Sequence, residues 1–382
     1  MWIPKRWRCA RRRNMAFTLI ELLVVIALLA LLIAILLPHL YEARELSKTV
    51  VCGQRLHDFG IGLATYVNDN EEWLPGVNTS GVAVRTLDLL WKSEPQVLSR
   101  PDLPVQAWDW MTPLLAGKTE LPAVRALRFK FLLEQMRCPS QFLHSALWEG
   151  EGHYSPDRQV FKANGPYRTV SYLMPAQFQF VGHAHTDETL AYKHGSDYPR
   201  WVRGRAAPDT FEYINYDYRP RLDQVGQPAG KVFVADGTRY LECEGGTESL
   251  DFDAYPYVDP RYPSQGLFGS FTDPAPWWCG STAYGVEQGS LNWDGMPVDA
   301  GEYPKARGKN LALSYRHGAD IGAATSNAQS NPGRMNALFF DGHVERLNDR
   351  RSRDVGLWYP SGTRIQSPEE GMTRVPQDYV VP

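Results

Sequence analysis

The sequence predicts an α+β protein in which one long N-terminal helix packs on a globular domain with an antiparallel β-sheet. The first observation is an unbroken apolar run, Leu22 to Leu37, which continues into three- and four-residue apolar spacing as far as Tyr66. The second is that the chain beyond Asp69 is rich in Gly, Pro and aromatic residues and carries short β-rich runs. A sheet with one apolar face needs a covering layer, and the helix supplies it.

The composition excludes several classes of protein. The 382 residues hold 40 Lys and Arg against 43 Asp and Glu, but six of the cations and no acid lie in residues 1–16. The remaining chain has 34 cations and 43 acids, a formal charge of −9, which argues against a general nucleic-acid binder. With 43% hydrophobic and 22% charged residues, the chain is neither disordered nor a polytopic membrane protein.

Residues 17–37 have the length of a membrane span. Twenty-one residues at about 1.5 Å each give roughly 30 Å, the thickness of a bilayer core. The basic head predicts a cytoplasmic N-terminus and export of everything after Pro38, to the periplasm or beyond the cell. Three interpretations compete: a cleaved secretory signal, a plain signal anchor, and a prepilin-type segment. The first is disfavoured because the run is long and no small-x-small cleavage pattern follows it.

The residues flanking the run favour the third interpretation. Arg11 to Ala16, followed by Phe17-Thr-Leu-Ile-Glu21, resembles the class III signal of type IV pilins and type II secretion pseudopilins. The resemblance implies cleavage between Ala16 and Phe17 by a prepilin peptidase, which also methylates the new amine of Phe17. It implies that Glu21 pairs with that amine on a neighbouring subunit, and Pro38 falls where such helices often carry Pro. Most family members have Gly where this chain has Ala16.

The predicted organisation has four parts. They are a basic leader (1–16), a pilin-type helix (17–68), an exported α+β domain (69–349) and an irregular C-terminal tail (350–382). Helices are predicted at Val124–Met136 and Asp88–Trp91, and Asp-Gly pairs at Asp236 and Asp341 predict hairpins with type I′ turns. The predicted strands are Thr169–Leu173, Phe178–Val181, Lys231–Ala235, Arg239–Cys243, Asn310–Tyr315, Asn336–Phe340 and His343–Leu347.

A second resemblance involves His317 and Asp341-Gly342. Removal of an apparent loop insertion, residues 319–332, leaves nine residues between His317 and Asp341. That spacing resembles the processing-associated His-x9-Asp-Gly segment of prepilin-like proteins in planctomycetes and related bacteria. The resemblance implies a structural or ligand-binding role for His317, Asp341 and Gly342. Four cysteines follow the leader and allow three complete pairings; Cys52 and Cys138 lie in family-like segments, which favours a disulfide between them.

Two further sets of residues have the composition of metal sites. His183 and His185 share one face if they lie on a strand and can bind a transition metal, or they form an ordinary surface strand or loop. His317, Asp341 and His343 converge if their strands pair, either to pin the turn or, with Asp236, Asp251 and Asp253 as spare carboxylates, to bind calcium. No cofactor is required by any motif, and EF-hand spacing is lacking in the sequence.

The sequence favours a non-enzymatic protein, because it contains no GxSxG, HExxH or Walker A pattern. The leading hypothesis is a prepilin-like structural subunit, held in the bacterial inner membrane by a single pass. Its expected partners are the prepilin peptidase and methyltransferase, other pilin-like subunits or copies of itself in a pilus or pseudopilus, and no nucleic acid. The alternative is an anchored periplasmic module that binds glycan or peptide, with Trp277-Trp278 stacking on sugars. An anchored hydrolase has no supporting motif.

Overall fold

The structure of the chain is a computed structural model. The described residues are 18–75, 105, 109–141, 144–147, 158–168, 170–179, 182, 212–213, 215–237, 241–242, 248–250, 314–318, 333–352, 354–365 and 379–382. Several predictions lie outside them: the leader with Ala16 and Phe17, the helix Asp88–Trp91, the His183–His185 pair, Trp277-Trp278 and the insertion 319–332. The chain divides into two compact units, Met1–Leu46 and Ser47–Pro382.

The first unit contains the N-terminal part of helix α1, Leu19–Asp69. This helix is continuous for 51 residues and includes Pro38. Its apolar side chains from Leu19 to Leu40 are all exposed. By length and composition it is long and apolar enough to cross a membrane, and no other helix among the described residues is. Among the described residues this helix is therefore the candidate for the membrane anchor that the sequence predicts.

The second unit begins on the same helix, whose C-terminal part is amphipathic. Its inward side chains recur at three- and four-residue intervals and include Cys52, Leu56, Phe59 and Leu63, none more than 1% exposed. Phe59 meets the rings of Trp110 and Tyr172 edge to face, at 5.0 and 5.9 Å between centroids. This stripe forms one side of the main core.

A four-stranded antiparallel sheet lies at the centre of the second unit. Its strands, in the spatial order β3, β5, β8, β9, are Tyr172–Leu173, Val232–Asp236, Arg334–Phe339 and Val344–Asn348. The predicted strands at 231–235, 336–340 and 343–347 are thus confirmed to within two residues. Every residue of β5 is buried, as expected of a central strand covered on both faces.

The described residues also form two smaller sheets, four short α-helices and four 3-10 helices. Helices α2, α3, α4 and α5 are Met111–Leu115, Arg125–Gln135, Arg158–Ala163 and Asp349–Ser352, of which α3 confirms the helix predicted at Val124–Met136. One sheet, ordered β2, β1, β7, β6, contains Tyr167–Arg168, His144–Leu147, Glu248–Leu250 and Leu241–Glu242. The other, ordered β11, β10, β4, contains Tyr379–Val380, Arg364–Ile365 and Glu212–Tyr213.

Two predicted strands are not found in the described residues. Ala176–Gln179 form a 3-10 helix in place of the strand predicted at Phe178–Val181, and it begins directly after Pro175. In the segment predicted at Asn310–Tyr315, Ser314 and Tyr315 lie in no strand. Pro175 favours the tight turn of the first segment, because proline fixes its own φ near the helical value and has no N–H for a β-ladder. The short apolar run at Phe178–Val181 therefore did not predict the conformation of its described residues.

Described residues of the segment 350–382, expected from the sequence to be an irregular tail, contribute to the core of the second unit. Leu357, Trp358, Tyr359 and Val381 are buried in a second apolar cluster with residues of the central sheet, among them Val232 and Met335. Strands β10 and β11 of this segment pair with each other. These described residues enter the core through isolated side chains and two-residue strands, which leave no periodic pattern in the sequence.

Candidate functional sites

Glu21, the predicted assembly residue, closes a capping box at the start of α1. Its Oε2 accepts hydrogen bonds from the backbone N–H and the hydroxyl of Thr18, at 2.8 and 2.7 Å. The Glu21 N–H lies 3.3 Å from the Thr18 hydroxyl oxygen, to which it donates. This reciprocal arrangement satisfies N–H groups that the first helical turn leaves free. Thr18 was missed as a functional candidate, although the Thr-x-x-Glu spacing is a sequence signal for this cap.

Four buried side chains from distant parts of the second unit converge beneath α1. Cys52 comes from α1, Cys138 from the segment after α3, Asp236 from the end of β5, and His317 from the segment before β8. All four are 0% exposed, and their ligand atoms lie within 4.8 Å of one another. We refer to these four residues as the buried Cys-Cys-Asp-His cluster.

The contacts inside the cluster are short and specific. The Cys52 thiol donates to Asp236 Oδ1 at 3.0 Å, and His317 Nε2 lies 3.1 Å from Asp236 Oδ2. Cys138 Sγ is 3.4 Å from the same Nε2. The Tyr172 hydroxyl donates to Cys52 Sγ at 3.3 Å. Each of the four side chains thus makes at least one direct contact with another member.

Neighbouring groups hold the cluster in position. The backbone N–H of Asn336 on β8 donates to Asp236 Oδ2 at 2.7 Å. Thr49 Oγ1, one helical turn before Cys52, lies 3.3 Å from His317 Nδ1. The buried Arg316 guanidinium donates to the Gly237 carbonyl at 2.7 Å, next to Asp236. Helix and sheet therefore both contribute to the orientation of the cluster.

The electrostatics of the cluster are those of a buried ion pair. Burial by itself raises the pKa of Asp236 and lowers that of His317, but the pair reverses both effects: the pKa of Asp236 is lowered, and that of His317 is raised to about 9. Burial, the contact with Cys138 and the Asp236 charge raise the pKa of the Cys52 thiol. Burial also raises the pKa of the Cys138 thiol. Its hydrogen bonds with Cys52 and His317 have the larger effect and hold the pKa of Cys138 well below the ordinary value.

The arrangement differs from a cysteine–histidine–aspartate catalytic triad. In a triad one imidazole nitrogen faces the nucleophile and the other faces the carboxylate. Here Cys138 and Asp236 both contact Nε2, while Nδ1 faces Thr49. The sulfur is also fully buried, so a substrate has no access to it in this conformation.

Asp341 and Gly342 do not join His317. His317 exchanges both backbone hydrogen bonds with Arg334 at the start of β8, while Asp341 follows the other end of that strand. Seven residues of extended chain separate the two ends by roughly 20 Å. The expected convergence of His317 with Asp341 and His343, and a calcium site built on it, therefore finds no support. His317 contacts Asp236 because β5 and β8 are neighbours in the sheet.

Asp341 forms a local turn with His343. Asp341 Oδ1 accepts from the His343 N–H at 3.1 Å and lies 2.6 Å from Nδ1 of the same residue. Gly342 has a φ of +93°. Only the glycine has positive φ, so the turn is not type I′; the Gly342 N–H donates to Phe339 O, as in a type I turn followed by a left-handed glycine. The β8–β9 hairpin is confirmed, with a different turn type.

The other predicted Asp-Gly hairpin, at Asp236-Gly237, is not formed. β5 and β6 lie in different sheets, and Asp236 points into the buried cluster instead of capping a turn. The same dipeptide thus has two outcomes in one chain, decided by the partner strand available to it.

The predicted Cys52 and Cys138 pair is brought together, as two free thiols. Both sulfurs belong to the cluster, which also contains Asp236. From the sequence, Asp236 was expected only in a turn or as a spare carboxylate for calcium, and its place beside the two cysteines was not predicted. A disulfide between the two sulfurs stays a prediction.

Comparison with protein families agrees with the N-terminal features. Residues 11–37 match the family model described as the prokaryotic N-terminal methylation motif. The matched segment includes Ala16, Phe17, Glu21 and the apolar half of the membrane-length helix. Searches of curated proteins and of solved structures return no significant match to the chain. The similarity supports a type IV pilin-like protein that a prepilin peptidase processes.

Proposed function

We propose that this chain is a prepilin-like structural subunit that assembles, through its exposed apolar helix, into a type IV pilus or a type II secretion pseudopilus. The peptidase cleaves between Ala16 and Phe17 and methylates the amine of Phe17. The helix then holds the subunit in the inner membrane, with the unit Ser47–Pro382 on the far side from the cytoplasm. The observation that carries this proposal is the methylation-motif match at the head of a membrane-length helix.

Two features support assembly beyond simple anchoring. The apolar side chains of α1 from Leu19 to Leu40 are exposed, Leu19 and Leu32 to 81% and 64%. The carboxylate of Glu21 lies in the first turn of α1, at the head of this surface, and a carboxylate inside lipid requires a positive partner. The amine of Phe17 on a neighbouring subunit supplies one, and both desolvation costs then fall.

We further propose that the chain catalyses no reaction of its own. Among the described residues, Cys138, His317 and Asp236 are the side chains best suited to nucleophilic catalysis. They are closed to substrate and do not have the hydrogen-bond pattern of a catalytic triad. The chain is then the substrate of the processing enzyme and a building block.

The processing step is tested by mass spectrometry of the N-terminus, after expression with and without a prepilin peptidase. With the enzyme, we expect the mature chain to begin at N-methylated Phe17. A chain that still begins at Met1, or one cut beyond Pro38, contradicts the proposal.

Assembly is tested with three substitutions in α1. Glu21→Gln removes the charge but keeps an N3 residue capable of the capping box. Thr18→Val removes the cap and keeps the charge, and Glu42→Gln removes an exposed charge further along the helix. We expect processing in all three, and loss of cross-linked or sheared assemblies only in Glu21→Gln. Assembly that survives Glu21→Gln, or none in the unsubstituted chain, contradicts the role of Glu21 and favours an anchored module.

A further inference from the structure

The buried Cys-Cys-Asp-His cluster has the donor set and dimensions of a closed transition-metal site. Two sulfurs, one imidazole nitrogen and one carboxylate oxygen surround one point, and all four atoms lie within 4.8 Å of each other. Zinc bonds of about 2.3 Å to sulfur and about 2.0–2.2 Å to nitrogen or oxygen place tetrahedral ligand atoms roughly 3.3–3.8 Å apart. The contacts of 3.0 and 3.1 Å, made by the two oxygens of Asp236, and the contact of 3.4 Å need to expand by tenths of an ångström, and the widest separation, within 4.8 Å, needs to contract by at most about 1 Å.

The ligand atoms already face inward. His317 has Thr49 Oγ1 at Nδ1, so Nδ1 can keep its proton when Nε2 loses its own, and the Nε2 lone pair then faces Cys138 and Asp236. Fixing the second imidazole nitrogen in this way is the usual outer-shell arrangement of metal-bound histidine. Tyr172 donates to the Cys52 sulfur, and this hydrogen bond can remain when the sulfur binds a metal as a thiolate.

The charges around the cluster also suit a divalent ion. Two thiolates and Asp236 carry three negative charges, and a divalent cation with the buried Arg316 carries three positive ones. Arg316 is held beside the cluster by its bond to Gly237 O and by a second bond to Ser314 Oγ at 2.8 Å. Burial of so many charged groups is tolerated only when they compensate each other.

We propose that Cys52, Cys138, Asp236 and His317 bind one zinc ion as a four-coordinate structural site. Thiolate ligands exclude calcium and magnesium, and the mixed sulfur, nitrogen and oxygen set fits zinc. The ion joins α1 to the segments around β5 and β8, so that the second half of the anchor helix is tied to the sheet. Binding of the ion displaces the protons that the ligand atoms still carry, on the Cys52 thiol and on Nε2, and these are released to solvent.

A disulfide between Cys52 and Cys138 is the competing use of the same sulfurs. It requires the sulfurs at about 2.05 Å and leaves no thiolate for a metal. The contacts favour metal binding over disulfide formation, because each sulfur also faces a nitrogen or oxygen ligand. Cys52 faces Asp236, and Cys138 faces His317.

The test uses the full-length chain, purified in detergent without chelator. Metal content is measured by elemental analysis, thiols are counted in denaturant with and without reductant, and Co²⁺ is exchanged into the protein. We expect about one zinc per chain, and a Co²⁺ spectrum with thiolate charge-transfer and intense tetrahedral d–d bands. Less than a tenth of a metal per chain after refolding with excess zinc, or thiols that appear only after reduction, overturns the proposal.

Substitutions locate the ion. His317→Gln and His343→Gln form a matched pair, because each removes a histidine bound to an aspartate, but His343 lies on the exposed hairpin. We expect loss of the tetrahedral Co²⁺ spectrum only in His317→Gln, with recovery in His317→Cys, which restores a ligand. Full metal content and an unchanged spectrum in His317→Gln contradict the site. If that variant does not fold, the spectrum of the unsubstituted chain and of His317→Cys decides.

Discussion

Gly342 shows how one residue sets the geometry of the hairpin next to α1. Its φ of +93° lies in the left-handed region, which side chains with a Cβ rarely adopt. A Cβ built on Gly342 would meet nothing within 4 Å, whereas one built on Gly60 of α1 would lie 3.4 Å from the Gly342 Cα. The turn therefore approaches the helix through two glycines. The Asp-Gly pair has a conformational role here, with Asp341 bound to His343.

Gly342→Ala is expected to lower the free energy of unfolding by about 1–2 kcal/mol, the usual cost of a left-handed conformation for a residue with a Cβ. Gly230→Ala is the control, because its Cβ also meets nothing within 4 Å and its φ is not positive. Denaturant unfolding measures both. Equal effects of the two substitutions would show that the backbone conformation at Gly342 is not the cause.

At the level of elements, the segment 318–333 connects two residues, His317 and Arg334, that pair with each other through their backbones. The His317 N–H donates to Arg334 O at 3.0 Å, and the Arg334 N–H donates to His317 O at 2.6 Å. This is the hydrogen-bonded pair that closes a β-hairpin. Removal of residues 319–332 joins Gly318 to Gly333, and a Gly-Gly loop of two residues is compatible with a tight hairpin turn.

Deletion of residues 319–332 is therefore expected to leave the fold intact and to raise the free energy of unfolding by up to about 2 kcal/mol. Shortening the loop from 16 residues to two removes three doublings of length, at roughly 0.6 kcal/mol each. The measurement is cooperative denaturant unfolding. Deletion of 318–332 serves as the control, since a single remaining glycine cannot span the pair and should destabilise the chain. Loss of cooperative unfolding in the shorter deletion would contradict the interpretation of 319–332 as an insertion.

At the level of the whole molecule, residues near position 381 pack against the central sheet of the second unit. Val381 is 1% exposed within the second apolar cluster, and its N–H donates to Thr363 O at 2.8 Å. Lys231, just before β5, donates to the carbonyls of Gly356 and Pro382, both at 2.9 Å. The central sheet thus depends on the segment after α5 for part of its covering layer.

Val381→Ala and its neighbour Val380→Ala test this dependence with the same chemical change. Val380 is 53% exposed, so its truncation should change the free energy of unfolding by less than about 0.5 kcal/mol. Truncation of Val381 removes two buried methyl groups and should cost about 2 kcal/mol. Thermal or denaturant unfolding of the full chain in detergent distinguishes them. An equal, small effect of both would mean that the segment is dispensable, as an irregular tail would be.

The sequence by itself determined the features that depend on local pattern. The apolar run, the basic head and Phe17 to Glu21 predict the anchor and its processing, because length, charge order and a contiguous motif are readable along one stretch of chain. Helix α3, the amphipathic half of α1 and the β8–β9 hairpin follow from periodicity and turn residues for the same reason.

Only the tertiary structure decided which polar residues meet. Cys52 and Asp236 are 184 positions apart, and Cys138 and His317 are 179 apart, so no local pattern joins them. Their meeting depends on the pairing of β5 with β8 and on the face that α1 turns to the sheet. The Asp-Gly pairs make the same point: one forms a turn and the other supplies a buried carboxylate, because long-range strand pairing overrides local turn preference.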